Sequence, residues 1–147
     1  MQAFFNYLDR NSGVGLLILR LFVSIRLIYG VLDNVLSWNK MLEFKDFLQT
    51  FNFPVPLISA IVSVYAQLFA GLSFLLGWKI RYAAVLMIIN FIVAVLAVHL
   101  GQTFEQMTVP LAMLFISVLF LFQGAGKYAL DRRKIINNKN RFNNSDI

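Results

Sequence analysis

The chain has 147 residues, of which 59% are apolar and only 14% are charged. Soluble domains are about 45–50% apolar and about 25% charged, so this composition is typical of a chain that folds in lipid. The sequence contains no cysteine, which excludes disulfides, thiolate metal sites, iron–sulfur clusters and cysteine nucleophiles. One histidine, His99, cannot ligate a haem from both sides within a single chain.

The N-terminal segment, residues 1–13, is interpreted as an interfacial segment. It carries Asp9 and Arg10 and has no basic region ahead of a short apolar core. A cleavable signal peptide needs that arrangement, so the first apolar span is expected to serve as the insertion signal.

Four apolar segments follow, at residues 14–36, 57–76, 82–100 and 107–122. A helix needs about 20 apolar residues to cross about 30 Å of hydrocarbon. Lipid offers no partner for backbone polar groups, and the segments lack the alternation of barrel strands, so they are expected to be helices. The sequence therefore predicts an all-α protein in which residues 14–131 form a bundle of four transmembrane helices.

The connection between the first two spans, residues 37–56, is long enough to hold another element. Its apolar residues Met41, Phe44, Leu48 and Phe51 recur at helical spacing. They predict a short amphipathic helix on the membrane surface, which the proline-rich residues 52–56 end before the second span.

Lysine and arginine outside the spans indicate the orientation. Nine lie on the side of the two termini and two, Lys40 and Lys45, on the other side. Because basic residues concentrate in cytoplasmic segments, both termini are predicted to be cytoplasmic. Residues 132–147 then form a basic cytoplasmic tail, and the net charge of +6 reflects topology rather than nucleic-acid binding.

Polar residues at membrane depth are costly and often mark function. On the predicted helices these side chains could converge near one end of the bundle, which gives a candidate binding cluster of Arg26, Tyr29, Asp33, Tyr65, Gln67, His99 and Glu105. Two alternatives stay open: Arg26 and Asp33 could form a pair that only fixes helix register, and His99 could face the headgroups.

Other polar residues are given structural interpretations. Arg20 shares a helical face with Ser24 near the start of the first span and is expected to extend its charged head to the membrane surface. On the second span, Ser63, Gln67, Ala70 and Gly71 are interpreted as a packing face. The stripe of Asn90, Ala94, Ala97 and Gly101 on the third span is a candidate inward face.

No catalytic motif is present. The sequence lacks a nucleotide-binding glycine loop and a cluster of metal ligands, so whether the chain is an enzyme stays open. The glycines at 124 and 126 are interpreted as the end of the last helix.

The chain carries a series of short motifs in a fixed order. They are Leu19-Arg20-Leu21, Tyr29-Gly30, Asn52-Phe53-Pro54, Ala66-Gln67 with Gly71, Leu76-Gly77, Arg81 with Ala83-Ala84, His99, and GAGKYALD at residues 124–131. Together they resemble the motifs of the DoxX family of small bacterial membrane proteins, whose fourth helix has a similar glycine-rich ending. Three positions depart from the family pattern: Gln67 replaces an acid, Tyr29 replaces a histidine, and Asp33-Asn34 replaces a lysine.

The resemblance implies a multi-pass protein of the bacterial inner membrane that serves as an accessory subunit of a quinone-linked or other redox complex. No intrinsic cofactor is expected, and a quinone is the bound molecule that the family's associations suggest. Besides lipid, the expected partner is another membrane or redox-complex subunit, and a homo-oligomer is also compatible. The alternatives are a non-enzymatic carrier of a small hydrophobic molecule and a structural partner of another membrane protein.

The orientation can be tested with reporters that are active only in the cytoplasm. A fusion after Arg133 should give signal and a fusion after Phe47 should not, because the basic residues hold the first position inside. Signal after Phe47, or silence after Arg133, would contradict the predicted orientation.

Overall fold

The structure is a computed structural model that describes residues 1–98 and 103–130. Over these residues the secondary structure is helical, without strands. The helices are α1 Gln2–Arg10, α2 Ser12–Leu36, α3 Trp38–Thr50, α4 Pro56–Leu76, α5 Ile80–Ala97 and α6 Phe104–Gln123. The length and apolar character of α2, α4, α5 and α6 are sufficient to cross a membrane. The predicted all-α fold with four spans is therefore confirmed.

The helix boundaries follow local signals. Helix α6 begins at Phe104, three residues before the predicted start, because Thr103 and Gln106 form a capping box that satisfies its first backbone N–H groups. Helix α6 therefore has 20 residues, which is long enough to cross a bilayer, whereas the apolar segment at residues 107–122 alone is shorter than that. Residues 1–13, predicted only as interfacial, contain the separate amphipathic helix α1, whose apolar side chains are exposed.

The predicted amphipathic helix between the first two spans is α3. Its residues Met41 and Leu48 are buried in an apolar cluster with Val31 of α2 and Ala60 and Val64 of α4. The apolar face of α3 therefore packs against the bundle rather than against lipid. We call this end of the bundle the α3 end, and the opposite end, where α2 begins and α6 finishes, the terminal end.

The four long helices pack in chain order, with α4 contacting α2 and α5, and α5 contacting α6. Gly71 of α4 allows a close approach to α2, since a Cβ atom at that position would lie 2.7 Å from Ile28 Cγ1 and 3.3 Å from the Ser24 carbonyl oxygen. Towards the terminal end, the rings of Phe74 and Phe120 meet edge to face with centroids 4.9 Å apart. These contacts form the main apolar core.

Arg20 is buried at the terminal end with only 2% of its surface exposed. Its Nη1 donates to the Ala125 carbonyl oxygen at 2.6 Å and its Nη2 donates to the Tyr128 carbonyl oxygen at 3.3 Å. The Arg20 side chain therefore extends towards the terminal end of the bundle, where its guanidinium group contacts the segment after α6 rather than solvent. The chain beyond α6 exposes backbone carbonyl groups without helical partners, and the guanidinium group supplies several donors to them.

The turn after α4 takes part in the same contact. Gly77 has a φ of +70°, and a Cβ atom there would lie 2.8 Å from Ala129 Cα and 2.9 Å from Arg20 Nη2. A larger residue would therefore be strained and would collide with both neighbours. Arg20 and Gly77 together join α2, the turn between α4 and α5, and the segment that follows α6.

Replacing Arg20 should release that segment. Hydrogen bonds to charged groups contribute about 1.5–3 kcal/mol each, so Arg20→Met should expose Ala129, which is 4% exposed in the intact structure. An Ala129→Cys substitution in this cysteine-free chain reports the change through its rate of maleimide labelling, which should rise at least about ten-fold.

The exposed arginine of the same helix provides the control. Arg26→Met in the Ala129→Cys background should leave the labelling rate unchanged. Equal labelling in the Arg20→Met and Arg26→Met backgrounds would contradict the role assigned to Arg20.

Candidate functional site

A cavity of about 410 Å³ lies between α4 and α5, bounded by α3 and the first turns of α6. Ligand pockets are usually about 300–1,000 Å³ and mostly apolar. The walls here are mainly apolar and include Phe44, Leu48, Phe53, Leu86, Phe91 and Pro110. At the edge of the cavity, the side chains of Val62 and Ile89 are 61% and 57% exposed. The cavity therefore opens sideways between two spans, towards the lipid.

Three polar side chains converge on this cavity. Ser63 and Gln67 lie four residues apart and share one face of α4, and Asn90 faces them from α5. Gln67 Nε2 donates to Ser63 Oγ at 3.2 Å, and Ser63 Oγ donates to Asn90 Oδ1 at 2.8 Å. The hydrogen bonds among the described residues leave Gln67 Oε1 as an acceptor and Asn90 Nδ2 as a donor for a bound molecule.

The cavity lining is uncharged. Its polar members among the described residues are Ser59, Ser63, Gln67 and Asn90, which can position a ligand but do not exchange protons near neutral pH. In the described part of the chain, no group of three or more histidine, aspartate or glutamate side chains is placed to hold a metal ion. The arrangement suits binding of a neutral, largely apolar molecule with a polar end.

Ion pairs of the described residues lie elsewhere, on the surface of α3. Lys40 contacts Glu43 and Lys45 contacts Asp46, each at 2.6 Å. The hydrogen bond that Lys40 Nζ donates to Glu43 Oε2 raises the pKa of Lys40, whose side chain is exposed. Exposed pairs of this kind contribute little to stability.

Of the seven predicted cluster residues, the structure brings Gln67 to the cavity. Tyr65 projects outward from α4 and is 52% exposed, and Glu105 is exposed in the first turn of α6. Arg26, Tyr29 and Asp33 lie on the exposed face of α2. His99 lies outside the described residues, so its predicted role stays a prediction.

The packing of α2 explains where its polar residues lie. Helix α2 buries Ser24, Leu27 and Val31, and successive residues rotate by about 100°, so Arg26 and Asp33 turn away from the bundle. The two side chains form no ion pair with each other in the described structure. The structure therefore does not gather the six described members of the predicted cluster around one point.

Asn90 and Ser63 are candidate site residues that the sequence pattern does not identify as such. Asn90 belongs to the predicted inward-facing stripe on the third span, of which Ala94 also lines the cavity, whereas Ala97 is exposed and Gly101 lies outside the described residues. The available signal was that Asn90 is a lone amide in the middle of an apolar span, where polar side chains are costly. Ser63 had been assigned to helix packing.

A second cavity of about 460 Å³ lies at the terminal end, between the start of α2 and the end of α6. Its lining includes Ser12, Gly13, Gln123 and Lys127, and Lys127 Nζ donates to the Arg10 carbonyl oxygen at 3.1 Å. No network of polar side chains converges there among the described residues, so the first cavity is the stronger candidate site.

Comparison with known proteins agrees with the architecture. The family model described as DoxX matches residues 15–100. Neither the curated proteins nor the solved structures gave a significant match. The family match covers more than half of the 147 residues and includes nearly all of α2 and the whole of α3, α4 and α5. The chain therefore belongs to the DoxX family of membrane proteins.

Proposed function

We propose that this protein binds a small hydrophobic molecule with a carbonyl or hydroxyl head in the cavity beside Gln67 and Asn90. The observation that supports this most strongly is the polar chain of Gln67, Ser63 and Asn90 within an otherwise apolar cavity. At membrane depth, Gln67 Oε1 and Asn90 Nδ2 would cost free energy if they had no hydrogen-bond partner. A ligand that bonds to both atoms removes that cost.

A quinone is the ligand that best fits the donors and acceptors. Asn90 Nδ2 can donate to a quinone carbonyl, and Gln67 Oε1 can accept from the hydroxyl of the reduced quinol. Phe44 and Phe91 give the ring apolar aromatic walls. The lateral opening between Val62 and Ile89 leaves room for an isoprenoid tail in the bilayer.

Quinone binding would make the protein an accessory subunit of a quinone-linked or other redox complex in the bacterial inner membrane. Its membership of the DoxX family supports this role. The sequence has no cysteine and one histidine, so a partner subunit or the quinone itself would carry the electrons. A carrier that delivers a different hydrophobic molecule is the second candidate, because the cavity opens towards lipid.

The site can be tested by titrating decyl-ubiquinone into the protein in lipid nanodiscs. Asn90→Leu keeps the branched shape of the side chain and removes the hydrogen bond to the quinone carbonyl, worth about 0.5–1.5 kcal/mol, so the affinity should fall roughly 2- to 13-fold. The substitution also removes the acceptor of Ser63 Oγ. Gln67→Leu should weaken binding of the reduced form more than that of the oxidised form, because it removes the acceptor for the quinol hydroxyl.

Asn39→Leu, an exposed asparagine near the start of α3, is the matched control and should bind like the original protein. Thermal stability of each variant separates loss of binding from loss of folding. Equal quinone affinity in Asn90→Leu and Asn39→Leu would reject the proposed site.

A further inference from the structure

Helix α2 carries three polar side chains, those of Arg26, Tyr29 and Asp33, on the face that points away from the bundle. Together with Phe22 and Gly30 on the same face, they form what we call the α2 stripe. All five are exposed, and Tyr29 reaches 77%. The opposite face of α2 supplies Leu27 and Val31 to the two apolar clusters, so the α2 stripe points away from the apolar core of the bundle.

Arg26 lies near the middle of its span. Helix α2 has 25 residues, and Arg26 is about 21 Å along the axis from Ser12 and about 15 Å from Leu36. A charge that faces lipid at this depth is unfavourable, and arginines in such positions usually face a protein partner or a water-filled space. The second cavity is at the terminal end and does not include Arg26 among its lining residues.

The described acidic residues do not neutralise Arg26. Asp33 is about two helical turns away, and its Oδ1 accepts a hydrogen bond from the Asn34 backbone N–H at 2.9 Å. Glu43 and Asp46 pair with lysines on α3. The Arg26 guanidinium instead folds over Gly30, where a Cβ atom would lie 2.7 Å from Nη1.

We propose that the α2 stripe binds a transmembrane helix of a different membrane protein that presents a carboxylate at the depth of Arg26. Charge complementarity defines the partner, since a guanidinium in lipid gains most from a carboxylate acceptor. Gly30 leaves room for the Arg26 guanidinium to lie along the exposed face of α2, where a carboxylate on a partner helix can meet it. The proposal adds a docking face to the accessory-subunit role proposed above, and it does not depend on the cavity.

A second copy of this chain fits the α2 stripe less well. Copies inserted in the same orientation hold each residue at the same depth, so a two-fold contact through α2 would set Arg26 against Arg26 and Asp33 against Asp33. Like charges placed together disfavour that contact. A helix of another protein with a carboxylate at the depth of Arg26 would instead be attracted to the guanidinium group.

The test uses labelled host peptides of about 24 leucines and alanines with a single central Glu or, as the reference, a central Leu. The full chain, labelled at one cysteine introduced into its tail, is combined with each peptide in phosphatidylcholine vesicles, and energy transfer gives the affinity. Interhelical polar contacts in membranes lead us to expect the Glu peptide to bind roughly 5- to 30-fold more tightly than the Leu peptide.

Variants of the chain assign that preference to Arg26. Arg26→Leu should abolish the preference, and Arg26→Glu should transfer it to a peptide with a central Lys. Arg81→Leu, an exposed arginine at the start of α5, is the control and should keep the preference for Glu. Decyl-ubiquinone binding should be unchanged in Arg26→Leu, so a failure here is distinct from a failure of the cavity proposal.

Four results would overturn the proposal. The first is equal affinity for the Glu and Leu peptides, and the second is a preference that survives Arg26→Leu. The third is energy transfer between two copies of the chain that depends on Arg26, which would make a second copy the occupant. The fourth is loss of the preference when phosphatidylglycerol is added, which would assign Arg26 to a lipid phosphate.

Discussion

Lipid gives no hydrogen-bond partner to a polar group, and this constraint organises the structure around Arg20. The guanidinium group is buried among the spans because the carbonyl groups of Ala125 and Tyr128 need donors. That contact brings the segment after α6 against α2, and Gly77 gives it room. The Leu19-Arg20-Leu21 motif of α2 thus contacts the glycine-containing segment after α6 through Arg20.

The same constraint separates structural polar groups from functional ones. Ser24 and Ser117 donate back to carbonyl groups one helical turn earlier and need nothing more. Gln67 and Asn90, in contrast, share Ser63 and still direct an acceptor and a donor into an apolar cavity. The polar head of a bound molecule would bond to this free acceptor and donor. The fold is linked in this way to the proposed binding of a quinone-like molecule.

Sequence patterns predicted the fold well because apolar length dictates the spans, and α3 was visible from the spacing of Met41, Phe44 and Leu48. The candidate site was predicted less well. Which face of a span points inward depends on its neighbours, so Arg26 and Asp33 could be placed on one face but not assigned to the outside. The acceptors of Arg20 could not be predicted for a related reason: they are 105 and 108 residues away in sequence. Asn90 can be identified as a candidate site residue only when the structure shows Ser63 opposite it on α4.

We expect the cavity between α4 and α5 to hold a small hydrophobic molecule. Purification in native lipid followed by mass spectrometry of bound small molecules tests it most directly, with Ala94→Phe to fill the cavity and Ala97→Phe, on the exposed face of α5, as the control. The account predicts a stoichiometric quinone-like molecule in the original protein and in Ala97→Phe, and its loss in Ala94→Phe. The same bound molecules in all three proteins, or none above the lipid background, would contradict it.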